Sequence, residues 1–267
     1  MENLALIDSF AEFKDDKNID RVTLMGIIED VFRNMIIKRY GSDDNFDIIV
    51  NPDKGDLEIW RNRIVVEDSN VEDDNAEIAY TAAIKIEPDF EVGEEVSEEV
   101  HLIDFGRRAI LSLRQNLISR IQEHDNTDLY NKYKELVGEI ISGEVHHIRN
   151  REVIIIDDMD NEVILPKDQQ IRSDFFRKGD TIRGVVKEVQ LKGMKPRIVL
   201  SRTSPKFLER LFEQEIPEVA DGLIIVKKIQ RIPGEKAKVA VESYDERIDP
   251  VGACVGMKGS RIHGCLL

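Results

Sequence analysis

Hydrophobic residues at helical spacing mark the beginning of the chain. Their pattern predicts a short helix over Leu4–Phe13 and a longer one over Arg21–Tyr40, with Asp20 as its N-cap and Gly41 at its end. Three extended segments are then predicted, at Phe46–Asn51, Leu57–Glu67 and Ala76–Ile86. An acidic loop over Glu87–Glu99 separates these segments from a second long helix.

The second long helix begins near Leu102 and continues, weakened at residues 125–127, toward the next domain. These elements predict an N-terminal domain of the α+β class over residues 1–132, in which helices cover a small sheet. His101 and His124 each stand alone in this segment, and we interpret them as surface residues. Because the segment has no catalytic constellation, its sequence favours a binding domain.

From Gly138 onward the hydrophobic pattern changes to that of short strands. Five strands are predicted, at Glu139–Ile148, Glu152–Asp157, Glu162–Leu165, Thr181–Val189 and Arg197–Leu200. The longest gap, Pro166–Lys178, follows the third strand, where an OB barrel places an additional helix. We therefore predict a five-stranded OB-fold β-barrel over residues 133–200, a fold that commonly binds oligonucleotides across its second and third strands.

Two features of this segment bear on its chemistry. Asp157, Asp158 and Asp160 suggest a metal site, but a hairpin turn explains them better because no further carboxylate or histidine falls into place beside them.

Phe175 and Phe176 are the only aromatic residues of the five predicted strands and their connections. Since stacking on aromatic rings contributes about 1–3 kcal/mol per base, we expect the barrel alone to be a weak RNA platform.

Residues 201–267 combine helices with one hairpin. Ser204 caps a helix whose first residue is Pro205, and Leu223–Ile232 and Ala237–Ser243 form the two strands of the hairpin. A second helix and a glycine loop follow. This order is that of a type II KH module, an RNA-binding α/β fold, so we predict a partial KH domain that is truncated after its glycine loop.

The glycine loop is the best candidate for a binding site. Asp249 and Pro250 begin the helix before it, and Gly256 ends that helix. The two glycines of the GXXG loop allow a tight turn and the close approach of a phosphodiester, and its lysine adds a positive charge. A glycine pair alone is more often a simple turn, so the prediction depends on the preceding elements. The predicted RNA-binding residues are Gly256, Met257, Lys258, Gly259, Ser260 and Arg261.

Charge is divided unevenly along the chain, whose net charge is −15. Residues 1–132 hold 15 Lys and Arg against 31 Asp and Glu, whereas residues 133–267 hold 23 against 22. An acidic domain repels phosphates but suits a basic protein surface. The neutral half is compatible with local basic patches for RNA.

Cysteine usage and hydropathy bear on the compartment. Cys254 and Cys265 form neither a metal-type spacing nor a disulfide framework, and we interpret them as a small buried residue and a tail residue.

With no run of about 18 apolar residues and no basic signal peptide, we expect a soluble, cytoplasmic, monomeric protein that does not bind membranes. The sequence has no nucleophile–base pair, P-loop or metal-ligand cluster, so we expect neither an enzyme nor a cofactor.

Several segments resemble the NusA family of transcription factors. They are Gly138–Val145, Val163–Pro166, Gly179–Asp180, Leu200–Pro205 and Ile248–Gly256. In addition, Glu99–Arg120, with Asp104–Arg107 inside it, looks like the family's N-terminal connecting helix. The resemblance implies an N-terminal domain that binds core RNA polymerase near its RNA exit channel. It also implies an S1-like OB domain and KH domains that bind nascent single-stranded RNA. Such factors work with other Nus factors, modulate pausing, termination and antitermination, and are not enzymes.

The end of the chain departs from the family's pattern at His263–Leu267. We expect the helix that should hold the GXXG loop to be missing, and RNA binding to be weak and little changed by aspartate at Met257 and Lys258. The alternative function is an RNA-binding accessory protein of translation or RNA decay, where S1 and KH domains also occur. Exoribonucleases of the polynucleotide phosphorylase type place KH before S1 after a catalytic core, and ribosomal S1-type proteins repeat the OB domain. Neither arrangement is found here.

Overall fold

The computed structural model describes residues 19–51 and 56–265. They fall into two compact units, the first ending at Asp125 and the second beginning at Asn126. Each unit has its own hydrophobic core. The predicted helix over Leu4–Phe13 lies outside the described residues, and the domain boundaries after residues 132 and 200 remain predictions.

The first unit begins with helix α1, Arg21–Tyr40. Asp20 caps it as predicted, because one carboxylate oxygen accepts from the backbone N–H groups of Val22 and Thr23 at 2.9 and 3.0 Å. Gly41 follows the helix with a φ of 89°, and its N–H donates to a carbonyl of the last turn. Both predicted ends of this helix are confirmed.

A four-stranded sheet packs beside α1. Its strands are β1 Phe46–Asn51, β2 Asp56–Val66, β3 Glu77–Ala79 and β4 Glu95–Glu99. Strand β2 pairs antiparallel with β1 and β4 and parallel with β3. Ile28, Phe32 and Ile59 are among the most buried side chains of the core between this sheet and the helices.

The extended segment predicted over Ala76–Ile86 is wrong beyond β3, because it turns into helix α2, Tyr80–Ile86. The backbone N–H and the hydroxyl of Thr81 both donate to Asp68, at 2.9 and 3.1 Å, which satisfies a donor at the start of the helix. The side chain of Ala83 is fully buried. A tertiary hydrogen bond therefore decides between strand and helix here.

The acidic loop predicted over Glu87–Glu99 is also wrong in part, because it ends in strand β4. Val96 is fully buried and its two neighbours, Glu95 and Ser97, are exposed, so the strand alternates between the core and solvent. Glu98 forms an ion pair with Arg63 of β2. Because only one residue of this strand faces the core, its hydrophobic alternation is too weak to predict the strand from the sequence.

A 3₁₀ turn, Leu102–Phe105, precedes helix α3, Arg107–Glu135. Gly106 separates the two with a φ of 79°, so the helix begins after Leu102 rather than at it. Residues 125–127, which we expected to weaken the helix, are helical. The side chains of α3 in the core of the first unit include Leu113, Leu117 and Ile121.

The second unit contains a closed barrel. Its strands are β5 Ile140–Arg149, β6 Glu152–Asp157, β7 Glu162–Pro166, β8 Thr181–Lys192 and β9 Lys195–Ser201. They pair in the order β5-β6-β7-β9-β8, with β7 and β9 parallel. The five predicted strands are confirmed.

Between β7 and β8 a 3₁₀ turn, Lys167–Gln169, and a loop stand where we expected a helix. The N–H of Ile171 donates to the Asp174 carboxylate at 3.0 Å, and the N–H of Asp174 donates to the Ile171 carbonyl at 2.9 Å. These two bonds close a tight turn instead of a helix. We call residues 170–178 the β7–β8 loop.

The aspartates after β6 form a turn, as predicted. Asp157 accepts from the backbone N–H groups of Met159 and Asn161 at 3.0 and 2.8 Å. The buried Tyr133 donates its hydroxyl to the same carboxylate. Within residues 19–51 and 56–265, no group of three or more side chains is arranged to bind a metal ion.

The rest of the second unit packs helices against a hairpin. Its elements are α4 Pro205–Glu215, α5 Pro217–Ala220, the strands β10 Ile224–Ile232 and β11 Lys236–Ser243, and then α6 Pro250–Val255 and α7 Ser260–Gly264. Ser204 caps α4 by accepting from the Lys206 N–H at 3.2 Å. No helix in the described part of the chain is long and apolar enough to cross a membrane.

Both cysteines are free thiols in the core of this part of the unit. Burial of Cys254 confirms the prediction, but Cys265 is only 4% exposed and is not a tail residue. Helix α7 turns the chain back so that Ile262 and Cys265 pack against α4. Burial, followed by the nearby Glu215 carboxylate, raises the pKa of the Cys265 thiol to about 11.

Candidate nucleic-acid interface

The GXXG loop begins where α6 ends. Asp249 caps this helix by accepting from the Val251 N–H at 3.1 Å, and Pro250 occupies the first turn, as predicted. Gly256 follows with a φ of 72°, and its N–H donates to the Gly252 carbonyl at 2.9 Å. The sequence therefore fixes where the helix ends and the loop starts.

The loop backbone is left-handed at three of its four positions. Gly256, Lys258 and Gly259 have φ values of 72°, 54° and 80°. A Cβ at Gly256 would lie 2.9 Å from the Cγ of Arg261, so glycine is required there for space as well as for conformation. A lysine in this region stores strain of order 1–3 kcal/mol, which is typical of sites where backbone geometry serves binding.

The loop presents its variable side chains to solvent. Met257 is 89% exposed, and Lys258 and Ser260 are exposed beside it. A phosphate approaching the two glycines would meet the lysine ammonium without displacing protein groups. The contact of these residues with RNA stays a prediction.

Arg261 stabilises the loop from behind. Its Nη1 donates to both carboxylate oxygens of Glu218, at 3.0 and 2.8 Å, and to the Ala253 carbonyl at 2.9 Å. These bonds join α7 to α5 and α6. Hydrogen bonds from its own backbone N–H and from Arg261 lower the pKa of the Glu218 carboxyl. The expectation that no helix holds the loop is therefore wrong, because the five residues of α7 and this clamp do so.

The outward face of β6 and β7 is aliphatic at its centre, with Glu152 and Glu162 at its ends. Ile154, Ile156 and Ile164 alternate with side chains of the barrel core, and Ile154 pairs directly with Ile164. An OB barrel that stacks bases across these strands needs aromatic rings there. The face lacks them, so the strands themselves provide no stacking surface.

A buried ion pair lies where the barrel meets the helices of the predicted KH domain, α4–α7, which we call the KH helices. Its arginine, Arg202, directly follows β9, and the guanidinium also lies 5.5 Å from the ring centre of Phe207 in α4. Arg202 donates from Nε and Nη2 to the two carboxylate oxygens of Asp174, at 2.8 and 3.1 Å, and from Nη1 to the Arg183 carbonyl at 2.8 Å. The two paired side chains are only 10% and 11% exposed. Such a two-pronged pair fixes orientation as well as distance.

Two further contacts cross the same junction. The hairpin turn touches the β7–β8 loop so closely that a Cβ at Gly234 would lie 2.4 Å from Ile171. Arg210 of α4 donates to the Gly138 carbonyl at 3.0 Å and pairs with Glu139 at 2.5 Å. The barrel and the KH helices therefore pack as one body.

Both ends of the chain match known domain families. The family model of the NusA N-terminal domain matches residues 5–127, and that of the NusA-like first KH domain matches residues 202–266. The transcription termination/antitermination protein NusA of Thermus thermophilus is 32% identical over 270 residues, which cover 97% of this chain and 69% of that protein. The chain belongs to the NusA family.

Other NusA proteins differ in how much of their length the chain spans. The NusA of Rickettsia prowazekii is 34% identical, with 98% of this chain and 51% of that protein covered. The solution structure of the N-terminal domain of NusA from Bacillus subtilis is 26% identical and covers 47% of this chain and 98% of that chain, with a TM-score of 0.33. The chain thus corresponds to part of a longer family architecture.

Sequence reasoning missed the residues that join the barrel to the KH helices. Arg202 belongs to a segment that resembles NusA, but its ion-pair partner Asp174 lies 28 residues away and nothing local pairs them. Arg261 is a predicted RNA contact, and its observed bonds are to the protein. The sequence also does not predict which of Phe175 and Phe176 is exposed, since the two neighbours have the same side chain.

Proposed function

We propose that this protein is a transcription elongation factor of the NusA type. It binds core RNA polymerase through the acidic N-terminal unit and nascent single-stranded RNA through the barrel and the GXXG loop. By doing so it modulates pausing, termination and antitermination. The names of its relatives and the two matched domain models support this proposal.

The single observation that carries the RNA part of the proposal is the geometry of the GXXG loop. Two glycines and Lys258 hold left-handed backbone conformations around an exposed positive charge. Lys258 has its positive φ in a turn that the Gly259 N–H closes by donating to the Gly256 carbonyl at 3.2 Å, and its exposed side chain is open to a phosphodiester backbone. The loop is also held from behind by Arg261, so it is ordered before RNA arrives.

Charge supports the polymerase part of the proposal. The first unit contains nearly all of the excess acidity, and exposed carboxylates such as Glu91, Glu94 and Glu95 lie around the start of β4. A surface of this kind attracts a basic protein surface and repels RNA phosphates. Binding should therefore weaken as salt rises, since exposed charges are screened over about 10 Å in 0.1 M salt.

The proposed factor acts without catalysis or a cofactor. Asp157 and Asp158 are the best candidates for catalytic carboxylates in the sequence. The carboxylate of Asp157, however, accepts hydrogen bonds from backbone N–H groups of a turn. Purified protein should leave RNA intact with or without divalent metal. Metal-dependent cleavage lost in Asp157→Asn or Asp158→Asn would contradict this part of the proposal.

We further propose a monomeric, cytoplasmic protein that works beside other Nus factors, as its family membership suggests. The functional test is transcription in vitro by core polymerase on a template with one pause site and one terminator. Adding the full chain should change the pause lifetime or the terminated fraction. If the protein binds RNA but neither associates with polymerase nor alters these quantities, the accessory role in translation or decay replaces the proposed function.

A further inference from the structure

Two adjacent phenylalanines of the β7–β8 loop have opposite environments. Phe176 packs against the barrel core, and the guanidinium of Arg202 lies 5.9 Å from its ring centre. Phe175 is 78% exposed, and the guanidinium of Arg177 lies 5.5 Å from its ring centre. The loop therefore buries one ring as an anchor and presents the next to solvent.

The backbone beside the exposed ring of Phe175 is held by several contacts. Asp174, immediately before it, closes the turn with Ile171 and is also the buried partner of Arg202. The hairpin turn at Gly234 presses on the same loop. Because these contacts already order the backbone beside the ring, a flat group that stacks on it does not have to order the loop first, which lowers the entropy cost of binding.

The charges around the ring favour an anion. Arg172, Arg177 and Lys178 are exposed in the same loop. The carboxylate of Asp174 is occupied by Arg202, and that of the exposed Asp180 accepts from the Arg177 backbone N–H at 2.7 Å. Arg177 is close enough to the ring for a cation–π contact, an arrangement that also accompanies base stacking. An aromatic face beside three cations fits a base together with its flanking phosphates.

We propose that Phe175 stacks on a base of single-stranded RNA, with Arg172, Arg177 and Lys178 contacting the adjacent phosphates. This moves the stacking surface of the barrel from the aliphatic strands β6 and β7 to the loop at the KH junction. The proposal rests on the proposed function in taking RNA as the ligand. A lone exposed phenylalanine is common on protein surfaces, so the contacts that hold its backbone and the cations carry the argument.

The test measures binding of the full chain to a labelled single-stranded RNA of about 12 nucleotides, within the range of OB-fold site sizes. We expect Phe175→Ala to weaken binding about 5- to 150-fold, which corresponds to the loss of one stacked base. Phe175→Tyr should restore the affinity because it keeps the ring. Met194→Ala, which truncates a 58% exposed side chain in another connection of the barrel, is the matched control and should change nothing.

Salt titration separates stacking from charge. Phe175→Ala should leave the slope of log affinity against log salt unchanged, whereas Lys178→Gln should reduce its magnitude by about one. If Phe175→Ala binds RNA like the parent while Lys258→Asp weakens binding, the inference is wrong and the proposed function stands. Failure of the parent chain to bind RNA at all would overturn both.

Discussion

In both units arginines lie over aromatic rings, but in the second unit they also join the barrel to the helices that follow it. In the first unit, Arg61 and Arg39 lie over the ring of Tyr40, with guanidinium-to-centroid distances of 5.0 and 5.5 Å. Burial lowers the pKa of Arg61. In the second unit, Arg202 and Arg210 form hydrogen bonds that join the barrel to the KH helices.

The two units also differ in charge. Residues 1–125 hold 14 Lys and Arg against 30 Asp and Glu, and exposed carboxylates such as Glu91 and Glu94 lie near β4. The second unit is balanced overall, yet several of its cations lie on exposed loops. The comparison predicts separate partners for the two units, and the predictions that follow test it in order of expected size.

The largest effect is expected from breaking the junction. Asp174→Ala leaves the Arg202 guanidinium buried without its carboxylate, which should lower the free energy of unfolding of the second unit by about 3–5 kcal/mol. Urea unfolding followed by circular dichroism measures this. Because the single tryptophan, Trp60, lies in β2, its fluorescence reports the first unit and should be unchanged.

The control for the junction is the surface pair of Lys206 and Glu209, which are 42% and 32% exposed. Glu209→Ala should cost less than about 1 kcal/mol. Equal losses for Asp174→Ala and Glu209→Ala would show that the barrel and the KH helices are not held together by the buried pair.

A smaller loss is expected at the end of α3. Tyr133→Phe removes the hydroxyl that donates to the buried Asp157, and an unsatisfied buried acceptor costs about 1–3 kcal/mol. Tyr130→Phe, on a less buried tyrosine of the same helix, is the control and should be nearly neutral. If both variants unfold alike, the hydroxyl does not stabilise the turn.

The same tyrosine predicts a pH dependence. Burial, followed by the hydrogen bond to Asp157, raises the pKa of Tyr133 well above its ordinary value. A raised folded-state pKa means that the contribution is fully present below about pH 10, where the unfolded tyrosine titrates, and is lost as pH rises further. The stability difference between the parent and Tyr133→Phe should therefore shrink only above about pH 10. A difference that shrinks on acidification would contradict this assignment.

The next effect is on RNA affinity rather than stability. Replacing Met257 and Lys258 together by aspartate puts two carboxylates where phosphates are expected, so binding should weaken severalfold, and more at low salt. This reverses the expectation drawn from the sequence, because α7 and Arg261 hold the loop. Affinity measured at two salt concentrations checks it, with Met257→Ala as a control that keeps the lysine. Unchanged binding would restore the sequence-based expectation.

Local signals predicted most of the fold. The caps at Asp20, Ser204 and Asp249 and the five barrel strands depend on neighbouring residues only, and all are confirmed. Helix α2 and strand β4 escaped prediction because a bond from Thr81 to Asp68 and one buried valine decide them.

The candidate site also has one part that local sequence predicts and one part that depends on long-range contacts. The GXXG loop is local, and its glycine conformations follow from the sequence. The pairing of Asp174 with Arg202 joins residues 28 apart, and beside it Phe175 is exposed while Phe176 packs against the barrel core. Long-range packing of this kind leaves no periodic trace in the chain.

The most direct test of the division of labour is to measure both partners with both units. Because each unit has its own core, residues 1–125 and 126–267 are produced separately and tested against core RNA polymerase and single-stranded RNA. The account predicts that residues 1–125 are retained on polymerase and released as salt rises, whereas residues 126–267 bind the RNA. Retention of residues 126–267 alone on polymerase, or RNA binding by residues 1–125 alone, would contradict it.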